Sequence, residues 1–191
     1  MSAGGPDANV CIFVASDYQS TYAPEGESGV GGFTAGSGKI LLFVNPSEED
    51  WKKRRPYVVA HENHHSVWTE RHLAEARPLE LADYLIFEGR GDSFAHLIYP
   101  EKTASRTQAL APQQEAEQWK AIKEDLDSTD QQMWSYYAFG GPGIPRWTLY
   151  TIGFDVVQSY LASHPDQSIR EWTALDARKL LEESGYTGDQ P

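Results

Sequence analysis

The pattern of the chain predicts an α+β fold, with a small N-terminal β-sheet or hairpin followed by a mainly helical body. Two observations carry that reading. Residues 10–46 are rich in glycine, serine and β-forming residues. From Ser47 onward, helix-length segments are punctuated by proline and glycine, which start and stop helices. The 191 residues suit a single domain, with 1–9 as a flexible N-terminus, 10–46 β-rich and 47–185 helical.

The elements follow in order. Val10-Cys-Ile-Phe-Val-Ala15 reads as a buried strand, with Cys11 as an inert core residue. Tyr18 to Gly29 reads as a loop. Gly31–Thr34 and Ile40–Val44 read as two strands of a hairpin, joined through Ala35-Gly-Ser-Gly38 with its two glycines. Asn45-Pro46-Ser47 followed by Glu48, Glu49 and Asp50 is a helix start, with acids over the positive end of the helix dipole. Pro56 is expected to begin a separate helix running to about Ala76. Pro78 starts the next, Leu79–Tyr99, and Pro100 stops it. Further helices are expected at Gln113–Leu126, Asp130–Phe139, Trp147–Ser163 and Ser168–Ser184. Gly140–Pro145 is read as a connecting loop.

Composition limits the function. There are 28 acidic and 16 basic residues, a formal net charge of −12. That acidity argues against generic nucleic-acid binding and against docking on anionic lipid. No apolar run reaches the length of a membrane span, and no signal peptide is visible, so a cytoplasmic protein is expected. Apolar residues at 40% supply a core. The single cysteine excludes zinc sites built mainly from thiolates. A metal would therefore be held by histidine and carboxylate.

His61-Glu62-Asn63-His64-His65 fits the pattern H-E-x-x-H. On a helix, His61 and His65 share one face about 6 Å apart along the axis, a spacing that lets two imidazoles hold one Zn2+. Glu62 is then placed to take a proton from a water activated by the metal. A third histidine six residues on is excluded, since position 71 is Arg71 and Trp68 stands where that pattern has glycine. His72 would lie about 10 Å along the axis from His65, too far for the same ion, and reads as a helix-end residue. The better third ligand is Glu88 on the following helix. Asp92, at i+4 from it, is placed to accept the spare N–H of a liganding histidine and fix its tautomer. Gly89 and Gly91 each cost about 1 kcal/mol within a helix, which close packing against the metal helix would offset. His64 is expected to face away from the zinc. Tyr150 is the candidate donor to an oxyanion, with Tyr136 and Tyr137 as weaker alternatives and Gly153 allowing close packing one turn later.

The E-x-x-x-D after H-E-x-x-H is similar to gluzincins, the thermolysin-like metallopeptidases. More closely, the chain resembles a bacterial family described as predicted Zn-dependent proteases. The resemblance rests on Gly31-Gly-Phe-Thr-Ala-Gly36 with Ile40–Val44, on Val58-Val-Ala-His-Glu-Asn-His-His65, on Glu88-Gly89, and on Tyr150-Thr-Ile-Gly153 with Val156 and Tyr160. It spans most of residues 30–161. It implies a zincin-like core in which His61, His65 and Glu88 bind zinc, Glu62 is the general base, and a peptide or protein is the substrate. The Gly31–Val44 hairpin would then offer an edge strand to an extended substrate. Gly91 stands where the family is expected to have a small residue such as Ala ahead of an acid or polar residue, and the upstream helical segment expected of the family has no counterpart before Val10. Two other functions compete: a catalytically inactive zinc-bearing peptide-binding, regulatory or chaperone-like module, and a zinc hydrolase of a non-peptide amide or ester.

Overall fold

The structure is a computed structural model and describes residues 9–14, 29–72 and 77–188. The expected N-terminal stretch, nearly all of the 18–29 loop and the expected helix end at 73–76 lie outside the described residues. The architecture is α+β, with a three-stranded sheet preceding a mostly helical body. The chain divides into two compact units, residues 1–75 with 94–105 and residues 76–93 with 106–191.

The first unit contains strands β1 (Asn9–Val14), β2 (Val30–Thr34) and β3 (Lys39–Val44), and helix α1 (Trp51–His72). The sheet order is β1-β3-β2. β2 and β3 form the expected antiparallel hairpin, with Gly32 opposite Leu42. β1 pairs parallel to β3, with Ile12 opposite Leu42. Alternation along β3 points Ile40, Leu42 and Val44 inward, and they are buried. Val30, Ile40, Leu42 and Val58 form the core of this unit, with Trp51 and Val59 packed on it.

Two expectations need correction here. β1 is not a buried strand: Val10 is 41% exposed and Ile12 54% exposed, and Cys11 is exposed rather than in the core. The physical reason is position, because β1 is an edge strand of the sheet. Pro56 does not start a helix. It sits inside α1, which begins at Trp51 after a turn in which the Asp50 carbonyl accepts from the Lys53 and Arg54 amides. Proline at this depth removes one backbone bond early in a 22-residue helix, and the helix continues through it. Arg54 is tied down by donating to the carbonyl of Thr103 at 3.2 Å.

Helix α2 (Leu81–Ile98) runs through both units, since its residues from Phe94 onward belong to the first. Its start is closed by Asp83, which accepts bidentately from Arg77 at 2.7 Å and from the Glu80 amide at 2.9 Å. Burial alone would raise the Asp83 pKa; the Arg77 and Glu80 hydrogen bonds outweigh it and hold the carboxyl below its ordinary value.

The second unit continues with α3 (Pro112–Asp125), α4 (Gln131–Phe139), α5 (Thr148–Ser163), α6 (Ile169–Ala174) and α7 (Ala177–Ser184). α3, α4 and α5 fall where the proline, Asp130 and loop signals put them. The expected single helix Ser168–Ser184 is two. Leu175 is extended, and Asp176 caps α7 by accepting from the Arg178 and Lys179 amides. The break is held by buried Arg90, which donates to the Leu175 carbonyl at 2.6 Å.

α2 and α5 meet backbone to backbone. A Cβ on Gly89 would fall 2.1 Å from the Gly153 carbonyl oxygen, and one on Gly153 would fall 2.4 Å from that of Leu85. Gly153 thus has the close-packing role expected of it. Gly89 is satisfied by α5 rather than by the helix carrying H-E-x-x-H. Gly89→Ala is expected to destabilise the protein by about 1–3 kcal/mol or more, because the clash is with backbone that no rotamer change relieves. A thermal melt within a degree of the parent would contradict this packing.

Glu115 on α3 is buried beside Asp155 on α5, and the Tyr186 hydroxyl donates to Glu115. Burial, with the Glu115 carboxylate beside it, pushes Asp155 up to about 8. In the unfolded chain an aspartate titrates near 3.9, so the folded state holds this proton more tightly. The contribution is fully present below about pH 4 and is lost as pH rises through 8. Denaturant unfolding at pH 5 and pH 8 should show a fall in stability that Asp155→Asn largely removes. An unchanged pH dependence in the variant would contradict it.

Candidate metal centre

α1 presents two adjacent stripes. Val58, Glu62 and Ser66, spaced four residues apart, face the hairpin. Val58 enters the core with Val30, Ile40 and Leu42. The Thr34 hydroxyl lies 2.8 Å from Glu62 Oε2 and 2.9 Å from the Glu62 carbonyl, sharing its proton between them. Ser66 Oγ accepts from the Gly38 amide at 2.6 Å, closing the hairpin turn onto the helix. Gly32 permits this approach: a Cβ there would lie 2.4 Å from Glu62 Cγ and 2.8 Å from Val58 Cγ1. Glu62 is therefore buried with its carboxylate held by β2.

The second stripe is His61 and His65, both buried, with ring centroids 4.3 Å apart and planes at 78°. That is the i, i+4 imidazole pair the spacing requires. His64 is fully buried and packs against Phe94, centroid to centroid 5.6 Å. His72 ends α1 and stacks on Trp68 at 4.5 Å, in keeping with a helix-end role.

Glu88 is buried on α2, six residues before Phe94. His61, His65 and Glu88 each offer one ligand atom, and these atoms all lie within 4.8 Å of one another. Zinc takes nitrogen and oxygen donors at about 2.0–2.2 Å, which puts neighbouring donors of a tetrahedral site about 3.3 Å apart. Two neutral imidazoles and one carboxylate are also the donor chemistry zinc takes in open sites. The three side chains are positioned to bind a metal ion.

Around Glu88 the second unit supplies a polar network. Asp92 is completely buried, and both its oxygens accept from Arg106, at 2.9 Å from Nε and 2.7 Å from Nη2. The Arg106 guanidinium also lies 4.9 Å over the ring of Tyr150. Its backbone carbonyl accepts from the Thr151 hydroxyl at 2.9 Å, fixing the segment onto α5. Tyr150 is buried, with its ring edge-on to Trp147 at 5.4 Å. Burial foremost, and then the Glu88 carboxylate, hold its phenol protonated well above the ordinary range. Trp147 itself has a left-handed backbone, φ 70°, at the start of α5. Tyr137 is committed elsewhere, donating to Asp125 at 2.7 Å, and Tyr136 packs over Gly141.

Sequence reasoning missed three participants. Thr34 carried no signal beyond its place in the hairpin. Arg106 lies in a short 3-10 turn, Ser105–Gln108, that no pattern announces. Tyr84 was legible, being at i−4 from Glu88 on the same helical face. Burial, with the negative charge of Glu88, raises its pKa far above the ordinary value.

Residues 2–182 match the family described as "Predicted Zn-dependent protease (DUF2268)", and the chain belongs to that family. It is also 29% identical over 176 residues to the Bacillus subtilis (strain 168) protein named "Uncharacterized protein YjfC", a match covering 83% of this chain. The chain spans about half the length of that relative, 56% of it. No solved structure matches. Among the described residues, no helix is long and apolar enough to cross a membrane.

Purified protein is expected to carry about one zinc per chain. His61→Ala and Glu88→Ala should each lower that content after competition with a chelator. Parent-like zinc retention in Glu88→Ala would remove Glu88 from the ligand set.

Proposed function

We propose that the protein is a zinc metallopeptidase of the gluzincin type, with a zincin-like core, hydrolysing peptide bonds in a peptide or protein. The observation that carries this reading is the buried His61, His65 and Glu88 donor set, with Glu62 one residue along the same helix. A zinc ion held there supplies Lewis acidity and an acidified water.

The chain's own residues do the rest. Glu62 accepts the proton of the attacking water as the new C–O bond forms. It then returns that proton to the departing amine as the C–N bond breaks. The Thr34 hydroxyl holds the Glu62 carboxylate against β2, so the base keeps one orientation through both transfers. Tyr150, kept protonated by its surroundings, can donate to the developing oxyanion. Asp92 and Arg106 fix the guanidinium over the Tyr150 ring, so Asp92 serves the site through Arg106.

β2 is an edge strand, and it carries Gly32 and Thr34 against Glu62. A substrate in extended conformation can pair with such an edge through main-chain hydrogen bonds, which brings its peptide bond to the base.

Glu62→Gln is expected to keep full zinc content and lose turnover on a mixed peptide library, by a factor of at least about 100 for a lost general base. Full activity in Glu62→Gln would exclude this mechanism. A zinc-loaded parent that cleaves no peptide would instead favour the inactive peptide-binding module.

A further inference from the structure

Strand β2 has two unlike faces. Val30, Gly32 and Thr34 turn toward α1: Val30 enters the core with Val58, Gly32 abuts Glu62 Cγ, and Thr34 bonds the Glu62 carboxylate. Alternation puts Gly31 and Phe33 on the opposite face. Gly31 has no side chain, so Phe33 alone furnishes that face of β2, and it is 54% exposed. Phe33 stands in a cross-strand row with Leu41 and Cys11, none of them charged.

The hydrogen-bond phase of the hairpin fixes which main-chain groups of β2 are open. The Ala35 amide donates to the Lys39 carbonyl at 2.9 Å, and the Asn45 amide to the Gly29 carbonyl at 2.8 Å. Bonded and non-bonded pairs alternate along an antiparallel ladder. Gly31 with Phe43 and Phe33 with Leu41 are therefore bonded pairs. The N–H and C=O groups of Val30, Gly32 and Thr34 point the other way, to the side of β2 that carries no strand among the described residues. The residues that face Glu62 are thus the ones whose backbone is open to a further strand.

This phase dictates the register of a peptide laid antiparallel on the edge. The peptide residue bonded to Gly32 turns its side chain to the α1 side, where Glu62 lies. The residue before it faces Phe33 in a non-bonded pair, in which Cα atoms approach to about 4.5 Å and side chains meet most closely. The residue after it faces Gly31 and meets no side chain of β2.

We propose that Phe33 is a specificity-determining residue, selecting extended peptides that carry an aromatic or β-branched residue immediately before the residue lying over Gly32. The inference rests on the metallopeptidase reading above and names its class of substrate. Aromatic cross-strand pairs of this kind change binding by about 1.5- to 5-fold relative to small side chains.

The test is selection from an immobilised library of six-residue peptides, randomised one position at a time, by the zinc-loaded full chain. That chain carries Glu62→Gln, so that binding is read without turnover, either alone or with Phe33→Ser or Phe33→Leu. Cleavage of the same library by the parent is read in parallel. The Glu62→Gln chain is expected to enrich aromatic and β-branched residues at one position and to tolerate any residue two places further on. Phe33→Ser should flatten that preference by about 1.5- to 5-fold with zinc content unchanged, and Phe33→Leu, which keeps an apolar wall, should retain most of it. No apolar preference, or one that survives Phe33→Ser, would overturn the inference, while cleavage by the parent would leave the peptidase reading standing. Equal loss in both Phe33 variants together with loss of zinc would assign the effect to folding and also overturn it. Binding that depends on Phe33 in a protein whose parent cleaves nothing would remove the peptidase reading and keep the role of Phe33.

Discussion

Helix α1 has to serve two partners with the same turns, and the rest of the site depends on that constraint. One stripe, Val58, Glu62 and Ser66, is consumed by the hairpin through packing, the Thr34 hydroxyl and the Gly38 amide. The neighbouring stripe carries His61 and His65. Because adjacent residues on a helix differ by about 100° in direction, fixing Glu62 against β2 fixes where the imidazoles point. Gly32 is what lets the strand come this near. Glu62 and the imidazole pair are therefore oriented by one contact between a helix and an edge strand.

The second unit answers a different problem, that of keeping several ionisable groups buried together. Glu88, Asp92 and Tyr150 are all buried, and each would be costly there without partners. Arg106 meets Asp92 with two donors and covers Tyr150 with its face. The glycine pair at 89 and 153 removes the side chains that would keep the two helices apart. Propensity lost inside two helices is offset by the contact it allows. The same unit also holds polar groups with no part in the zinc reading, such as Arg90 at the α6–α7 break and the Glu115 and Asp155 pair.

Much of this was legible before any coordinates. The split into sheet and helical body, the hairpin, and the starts of α3, α4 and α5 follow from glycine, proline and capping signals that act locally. The metal-binding trio was legible too, because H-E-x-x-H encodes helix geometry and the carboxylate follows on the next helix. The errors have a common cause. Pro56 signals a boundary locally, although one missing backbone bond near a helix start is tolerated. The composition of β1 signals burial, whereas burial depends on which strands lie beside it. The break at Leu175 was invisible because a buried arginine from a distant helix stabilises it.

By itself, the sequence determined the chemistry available: imidazoles at helical spacing, a carboxylate between them, and too few thiols for a thiolate-rich zinc site. These are consequences of residue type and of the fixed 3.6-residue turn, which need no knowledge of neighbours. Tertiary structure decided how that chemistry is aimed. It gave Glu62 to Thr34 and Asp92 to Arg106, and it chose α5 rather than α1 as the partner of Gly89. Those pairings join residues far apart in the chain or on different faces of a helix. Their energies come from desolvation and close approach, which exist only once the chain has folded.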